Sequence, residues 1–526
     1  MKKTYILAGA LFLTLSFTAC KEDFLDKAPL DELSDQTFWK SEKDAQMALN
    51  SCYRNGLYGF WEVLYLDAMA DNAYSQFAWD GFQKLGNGTM DAGYVDQNNF
   101  FTFKDIRSCN EFLAGVEKIQ FADPAKKEAM KAEARFIRAM AYFYKVQFFG
   151  DVPLMTTPLS LQESNIPRTP KAEVVKFILD ELGAIANALP NKASSSGKVS
   201  KAAVLALKAR VELSEGKFAE AAASSQQVIS MGNYNLFPNY ESMFWMANQG
   251  NNEVIFDRQY MANAGDNTMW DMGAHLPNSE GGWSSIDPTQ SLVDEYECTD
   301  GKVKELSSLY NPQNPYVNRD PRMSATIIYP GADWRGSLFN SLDKNSADYY
   351  NNSDNASETG YNLRKYMDPA ATGDDVWNWG TNAILIRYAE VLLTYAEAKI
   401  EQNQIDASVY NAIDAVRQRA GMPVVDRTVY SNQDKLRELI RRERRVEFAM
   451  EGFRWFDLKR WNQLEKIGTP VYGVRDGVVN ADGSVTLSGS NRLVEERIFA
   501  TKNYLLPIPQ AAIDISKGVL KQNKDY

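Results

Sequence analysis

The chain has 526 residues, of which 44% are hydrophobic and 12% aromatic, and its formal net charge at pH 7 is −11. These values describe a globular protein with a large core, and the acidic balance speaks against binding to nucleic acid or anionic lipid. The single histidine, His275, speaks against zinc sites built from several histidines, and its neighbours form no nucleophile motif. We therefore predict no catalytic site and no metal site, and we interpret His275 as a loop or ligand-contacting residue.

Residues 1–19 predict a secretory signal peptide. Two lysines precede an apolar run from Tyr5 to Ala19, which is shorter than the ~20 apolar residues of a membrane-spanning helix. A small residue directly before Cys20 is typical of lipoprotein processing, so Cys20 is predicted as the lipidation site. An ordinary signal peptidase site beside a chance cysteine is the alternative. Residues 20–526 are expected in water on a lipid tether.

Helical periodicity predicts a mainly α scaffold over about residues 24–232 and 380–526. Apolar residues recur every three or four positions from Lys131 to Phe149, and Gly150 ends this helix. A second helix is predicted from Pro170 to Leu189, closed by the proline that follows.

Two segments predict pairs of antiparallel helices. In the first pair, Ser200 caps one helix and Gly216 makes the turn. Phe218 to Ser230 forms the partner helix, with Ala222 facing its neighbour. A second pair is predicted from Arg387 to Ala420, with its turn at Asn403. Small alanines at such crossings resemble the tetratricopeptide repeat; generic helical hairpins are the alternative, and both give a helical scaffold.

Residues 233–379 lose the helical pattern. Gly, Asn, Asp, Pro and Trp become frequent there, as they do from Leu66 to Phe103. Long irregular segments are uncommon in compact proteins unless they have a function, so we expect the ligand site in these loops.

Loop tryptophans predict a carbohydrate site. A sugar ring presents a face of C–H groups and a rim of hydroxyls, so an exposed aromatic plate with polar neighbours can bind it. The tryptophans in polar, loop-like sequence are Trp79, Trp270, Trp283, Trp334, Trp377 and Trp379. For each of them, burial beneath its own loop is the alternative. The tryptophans interpreted as core are Trp39, Trp61, Trp245, Trp455 and Trp461.

The segment from Leu439 to Phe448 is rich in arginine. Basic runs usually suggest nucleic acid or anionic lipid, but glutamates interleave with these arginines at helical spacing and can neutralise them. We predict a structural role over a binding role, with arginine forks bracing carboxylates and helix ends.

Motifs along most of the chain carry a family resemblance. The longest is RRERRVEFAMEGFRWFDLKRW, from Arg441 to Trp461. The others are Phe24-Leu25-Asp26, Phe38-Trp39, Asp44-Ala45, Cys52-Tyr53, Pro288-Thr289, Leu292-Val293-Asp294, Asp300-Gly301, Arg319-Asp320-Pro321-Arg322, Tyr504-Leu505-Leu506-Pro507-Ile508-Pro509, Gln522-Asn523 and Tyr526. Together they resemble the SusD/RagB family of outer-membrane nutrient-binding lipoproteins, over essentially the whole mature chain.

The resemblance implies a tetratricopeptide-type scaffold that binds oligosaccharides outside the cell. Members of the family form a hinged lid over a TonB-dependent transporter and deliver the ligand without cleaving it. Lys21-Glu22-Asp23 is similar to the family's acidic export signal. For the site, the resemblance supports the loops around Asp67, Asp71, Asn72 and Trp79 and those around Trp270 and Trp283.

Other functions stay open from the sequence. A surface glycoside hydrolase needs only two suitably spaced carboxylates, and the chain has 68 acidic residues. The ligand of a binding protein could also be a peptide or a glycoprotein fragment, and a purely structural partner of the transporter is a further alternative. We predict no cofactor; calcium in the Asp-rich loop from Asp348 to Asp354 is left open.

Overall fold

The computed structural model describes residues 38–94, 100–160, 163–195, 197–263, 271–352 and 354–526. Helices account for 45% of the residues and strands for 9%, which confirms a mainly α fold. Within the described ranges, no helix combines the length and apolar character needed to cross a membrane. The predicted signal peptide and lipidation site at Cys20 lie outside the described residues.

Helices form the scaffold, and three further short helices lie in the described part of the irregular region from 233 to 379. In chain order the helices are α1 (Glu42–Gly56), α2 (Phe60–Tyr65), α3 (Gln83–Gly86), α4 (Lys104–Gly115), α5 (Pro124–Phe149), α6 (Lys171–Ile185), α7 (Lys201–Ser214), α8 (Phe218–Met231), α9 (Asp271–His275), α10 (Gln290–Glu295), α11 (Pro321–Thr326), α12 (Tyr388–Glu401), α13 (Ala407–Arg419), α14 (Gln433–Glu447), α15 (Arg454–Arg460) and α16 (Gln510–Ile515).

Short strands form antiparallel pairs rather than an extended sheet. They are β1 (Ala73–Ser75), β2 (Val254–Arg258), β3 (Ile286–Pro288), β4 (Ile327–Ile328), β5 (Asp333–Trp334), β6 (Ser337–Leu338), β7 (Asn362–Leu363), β8 (Ala383–Arg387), β9 (Val471–Gly473), β10 (Gly477–Val479), β11 (Val485–Leu487) and β12 (Arg492–Glu495). The pairs are β1 with β3, β2 with β8, β4 with β7, β5 with β6, β9 with β12 and β10 with β11.

The long helix α5 ends where the sequence predicts and begins seven residues earlier. Gly150 follows its last residue with a φ of 72°, a conformation that glycine adopts without steric cost. At the other end, Asp123 accepts a hydrogen bond from the Ala125 amide at 2.9 Å, and Pro124 occupies the first helical position. The first turns are largely exposed, so apolar periodicity does not mark them.

The first predicted helical pair is confirmed. The Ser200 hydroxyl accepts a hydrogen bond from the Ala203 amide at 3.2 Å and caps α7, and Gly216 turns the chain with a φ of 70°. Helix α8 packs against both α7 and α12. Ala221 of α8 and Ala398 of α12 are fully buried where these helices meet, whereas the predicted Ala222 is half-buried and packs against them.

The second predicted pair is formed by α12 and α13, which pack against each other. The turn between them includes Asn403 with a φ of 54°, a left-handed conformation that asparagine adopts more readily than most residues. Helix α14 packs beside α12 and extends the helical layer.

The irregular region from 233 to 379 is joined to the scaffold by strands. Its described helices contain at most six residues. Strand β2 pairs with β8, which leads directly into α12, and β3 pairs with β1 from the N-terminal part. These backbone pairings fix the loops of the region on the helical layer.

A buried ionic network surrounds α14. Arg322 donates to Glu443 at 2.6 Å and to Glu447 at 2.9 Å, and Arg387 donates to Glu447 at 2.6 Å. These side chains are almost fully buried. Burial by itself raises the pKa of a carboxyl group, but the guanidinium groups around Glu447 outweigh it and hold its pKa well below the ordinary range. Within the arginine-rich segment itself, Arg444 donates to Asp457 at 2.9 Å and Arg445 to Glu295 at 2.6 Å, so its predicted structural role is confirmed.

Candidate functional site

Four aromatic side chains form a row at the surface, which we call the aromatic row: Phe77, Trp79, Trp283 and Trp377. The ring centroids of Phe77 and Trp79 are 5.3 Å apart, and those of Trp79 and Trp283 are 5.9 Å apart. Trp283 and Trp377 continue the row at 5.0 Å. Trp79 is 58% exposed, and the other three rings are half-buried.

Pairing of β1 with β3 brings the first two tryptophans together. Trp79 lies on the 3-10 turn Ala78–Asp80, which follows β1, and Trp283 lies three residues before the start of β3. The Gln76 amide donates to the Ser285 carbonyl at 3.2 Å and extends the pairing toward the row. A strand pair far apart in sequence therefore sets the distance between these rings.

Helix α9 supports the other end of the row. Trp377 closes the 3-10 turn Gly373–Trp377, and its ring lies over Gly273 of α9. A Cβ at position 273 would come within 2.6 Å of the Trp377 ring, so only glycine permits this close approach. The Ser285 amide donates to the Ala274 carbonyl at 2.9 Å, which ties the Trp283 loop to the same helix.

A buried carboxyl group lies beneath the exposed end of the row. Asp80, the residue after Trp79, is 2% exposed and faces the hydroxyl groups of Tyr65 and Ser75. Burial raises the pKa of Asp80 to about 7, and the two hydroxyls oppose the rise. The turn that presents Trp79 is thus anchored by an acid that keeps its proton under mildly acidic conditions.

The interpretation of His275 as a loop or ligand-contacting residue is wrong. His275 is the last residue of α9, is fully buried, and lies with its ring centroid 5.3 Å from that of Tyr65. Burial lowers the pKa of His275 to about 3, so the imidazole is neutral at physiological pH. It forms part of the packing beneath the aromatic row.

Three predicted polar contacts, Asp67, Asp71 and Asn72, belong to the interior instead. Asn72 donates to Asp67 at 2.6 Å and accepts from Arg445 at 2.9 Å. Arg454 donates to Asp71 at 2.7 and 2.9 Å. Asp67 also accepts from the Gly452 amide at 2.6 Å. Asp67 and Asn72 are almost fully buried, and the side chain of Asp71 is only 10% exposed. Because partners distant in sequence saturate these groups, their prediction as ligand contacts is wrong.

Trp334 is likewise a buried residue, with 6% of its surface exposed. Its indole N–H donates to Glu280, and the guanidinium groups of Arg335 and Arg364 lie 5.0 and 5.5 Å from its ring. A ring enclosed in this way offers no open face, so the prediction of Trp334 as a ligand contact is wrong. Trp270 lies outside the described residues.

Phe77 and a pair of acids complete the surface. Phe77 precedes Trp79 by two residues and stacks on it at an interplanar angle of 17°. Phe77 is absent from the predicted site, although an aromatic residue two positions before a loop tryptophan is a signal present in the sequence. Asp374 and Asp375 are exposed on the turn that carries Trp377 and can accept hydrogen bonds from ligand hydroxyls.

Metal ligands are not grouped in the part of the chain that the structure describes: no cluster of three or more His, Cys, Asp or Glu side chains is arranged to hold an ion there. In the Asp-rich loop, Asp348 points inward and accepts a hydrogen bond from the Ser279 amide at 2.8 Å. Calcium binding in this loop stays a prediction that a calcium titration would check.

The fold and the row define a helical-scaffold protein with an aromatic platform on its loops. Residues 252–526 match the sequence model of the SusD family, and residues 23–213 match a second model described as starch-binding, associating with outer membrane. Since the first match covers more than half of the chain, the chain belongs to the SusD family. The family predicted from the sequence motifs is confirmed.

Individual relatives are similar to this chain over most of its length. SusD-like protein P2 of Formosa agariphila is 27% identical over 100% of both chains. The starch-binding protein SusD of Bacteroides thetaiotaomicron is 26% identical over 68% of each chain. The crystal structure of a SusD-like carbohydrate binding protein from Bacteroides fragilis superposes with a TM-score of 0.81 at 30% identity, covering 92% of this chain and 99% of that one.

Proposed function

We propose that this protein captures an oligosaccharide on the aromatic row at the cell surface. The observation that carries the proposal is the convergence of Trp79, Trp283 and Trp377, from three distant loops, into one surface row. Polar groups stand beside the rings, as hydroxyl recognition requires: Asp374 and Asp375 share a turn with Trp377.

The geometry of the rings suits a ligand that bends. The planes of Trp79 and Trp283 meet at 83°, and those of Trp283 and Trp377 at 51°. Rings tilted in this way present their faces in different directions, so a curved chain can contact more of them than a flat ribbon can. Each stacked ring contributes roughly 0.5–1.5 kcal/mol beyond area burial, which for two or three rings gives weak capture and easy release.

Relatives support a carbohydrate ligand. The Bacteroides fragilis structure is that of a SusD-like carbohydrate binding protein, and the Bacteroides thetaiotaomicron relative is a starch-binding protein. Together with the signal peptide and Cys20, the family also supports a lipid-anchored protein on the outer face of the outer membrane. We propose that it hands its ligand to a TonB-dependent transporter.

The acids near the row favour binding without cleavage. Glycoside hydrolysis requires two carboxyl groups roughly 5–10 Å apart that flank the scissile bond. Asp374 and Asp375 are consecutive on one turn, and Asp80 is buried beneath the turn of Trp79. Of these three acids only Asp374 and Asp375 are exposed, and they lie side by side on one turn, which supports binding over cleavage.

Affinity electrophoresis in gels that contain a panel of neutral and acidic glycans tests the proposal. We expect at least one glycan to retard the wild-type protein, and Trp79→Ala and Trp283→Ala to weaken the retardation by roughly two- to tenfold in affinity. Tyr472→Ala is the matched control, because Tyr472 is 39% exposed on β9 and lies outside the row.

Two results would contradict the proposal. If no glycan retards the wild-type protein, the result would favour a peptide or glycoprotein-fragment ligand. If Tyr472→Ala loses as much binding as the row variants, the row is not what binds the glycan. Sustained release of reducing ends from any of the glycans would show that the protein is an enzyme.

A further inference from the structure

A cleft opens at the C-terminal end of α1, and it is separate from the aromatic row. It has a volume of about 380 Å³, which is within the ~300–1,000 Å³ range of small-molecule sites. Its walls come from α1, from Ser195, Gly197 and Lys198, and from the end of β2, and none of its lining residues belongs to the row.

The lining of this cleft is cationic. Arg54, Lys198 and Arg258 line it, and the acid among the lining residues is Asp257. Asp257 is 1% exposed, and its Oδ2 accepts a hydrogen bond from Asn382 at 2.8 Å. In a chain with 68 acidic and 57 basic residues, this cleft therefore has the opposite electrostatic sign to the molecule as a whole.

Two contacts position the Arg258 side chain, and only one of them uses an N–H donor of the guanidinium. Its Nη1 donates to the Leu57 carbonyl at 2.7 Å, and its guanidinium lies 5.4 Å from the Tyr260 ring centroid. Across the described ranges, no carboxylate lies within ion-pair distance of Arg258, although the side chain is half-buried. A guanidinium has five N–H donors, so most of them stay available to two oxygens of a carboxylate or a sulfate group.

Lys198 provides a second positive charge at the rim. Its Nζ lies 3.4 Å from Glu133 and 4.8 Å from the Tyr53 ring centroid. The Tyr53 hydroxyl also donates to Glu133, so that carboxylate is shared between two partners. Lys198 is thus positioned beside the cleft by a long ion pair, and its ammonium group can still bind a second anion.

We propose that this cleft binds an oxyanion carried by a small polar ligand, namely the carboxylate of a uronic acid or the sulfate ester of a sugar. Arg258 supplies the forked contact and Lys198 a point charge. This site shares no residue with the aromatic row, so the proposal for the cleft can be tested separately from the proposed function.

Isothermal titration calorimetry with the purified protein, at constant ionic strength, tests this proposal. The probes are glucuronate, galactose 6-sulfate and inorganic sulfate, with glucose as the uncharged control. We expect saturable binding of the anions and none of glucose. Arg258→Gln should weaken anion binding at least tenfold and Lys198→Gln about threefold, while Lys176→Gln, on the exposed face of α6, and Trp79→Ala should leave it unchanged.

The outcomes separate the sources of the anion. Tighter binding of the sugar acids than of inorganic sulfate supports a site for acidic sugars, and equal binding supports a site for the oxyanion itself. Absence of anion binding, or binding that neither Arg258→Gln nor Lys198→Gln alters, overturns the proposal. Lys198→Gln keeps the test valid if loss of the Arg258 contact to Leu57 unfolds the chain.

Discussion

At Trp79 the indole ring is largely exposed, while the carboxyl group of the next residue, Asp80, is buried below it. The two side chains of one short turn therefore have opposite environments. The buried carboxyl holds its proton to a much higher pH than an aspartate in water, because burial removes its solvation and the two hydroxyl groups that face it compensate only in part. The turn that presents the exposed end of the aromatic row is consequently sensitive to pH.

We predict that Asp80→Asn removes a pH dependence of stability. In the unfolded chain Asp80 ionises near 3.8, and in the folded protein near 7, so the free energy of unfolding falls as pH rises between these values and then levels off. The variant should match the wild type near pH 4 and exceed it at pH 8 by roughly 1–3 kcal/mol. Urea unfolding at both pH values measures this difference; equal stability at pH 8 would contradict it.

Burial also decides the role of each predicted tryptophan. Trp79 and Trp334 both stand beside aspartate in loop-like sequence, yet one is exposed and the other is enclosed by Glu280 and two arginines. We expect Trp334→Ala to lower the free energy of unfolding by about 3–5 kcal/mol, as for large buried aromatic side chains. Thermal unfolding checks this, and unchanged stability would show that the ring is dispensable to the packing.

Among the elements, the five-residue helix α9 positions two loops of the aromatic row. It places Gly273 beneath Trp377, and its Ala274 carbonyl accepts the Ser285 amide, so two loops of the row rest on one helix. The short helix thus sets the relative positions of Trp283 and Trp377.

We predict that Gly273→Ala displaces Trp377 while the scaffold stays folded. The added Cβ would lie 2.6 Å from the Trp377 ring, so the ring must move. Acrylamide quenching of tryptophan fluorescence should change, and glycan affinity should fall by roughly two- to tenfold. Gly183→Ala is the matched control, since a Cβ there meets no atom within 4 Å and should be neutral or slightly stabilising. Identical quenching in both variants would contradict the prediction.

Over the whole molecule, the ionic network of α14 connects helices to the irregular region. Glu447 accepts from Arg322 of α11, Arg387 of β8 and Arg419 of α13, three elements far apart in sequence. Removing one charge from such a buried set leaves its partners unpaired, which is strongly destabilising.

We predict that Glu447→Gln lowers the free energy of unfolding by about 3–5 kcal/mol. The depressed pKa of Glu447 means that its contribution is complete above its ordinary pKa of 4.5 and is lost as pH falls, so the variant and the wild type should converge in acid. Urea midpoints measure the loss. Glu438→Gln, on the exposed face of the same helix, is the control and should change stability by less than about 0.5 kcal/mol; an equal effect in both variants would refute the network's role.

The lipid anchor is also a property of the whole molecule. We expect Cys20→Ala to move the protein from the membrane pellet to the soluble fraction, because the acylated thiol is its predicted attachment. Cys298→Ala should leave the protein in the pellet. Membrane recovery of Cys20→Ala equal to that of the wild type would contradict the anchor.

The sequence by itself determined the mainly α class, the family and several local features. Gly150 ends α5, Ser200 caps α7, and Asn403 turns the chain between α12 and α13, because these are short-range effects of backbone conformation and hydrogen bonding. Polar, loop-like sequence also indicated Trp79, Trp283 and Trp377, without indicating that they meet.

Only the tertiary structure decided which candidates face the solvent and which of them converge. Asp71 and Asn72 are saturated by Arg454 and Arg445, more than 370 positions away, and Trp334 is enclosed by groups from other loops. Pairing of β1 with β3 creates the distance between Trp79 and Trp283. Burial and contact are sums over the whole fold, so the local sequence around a residue does not contain them.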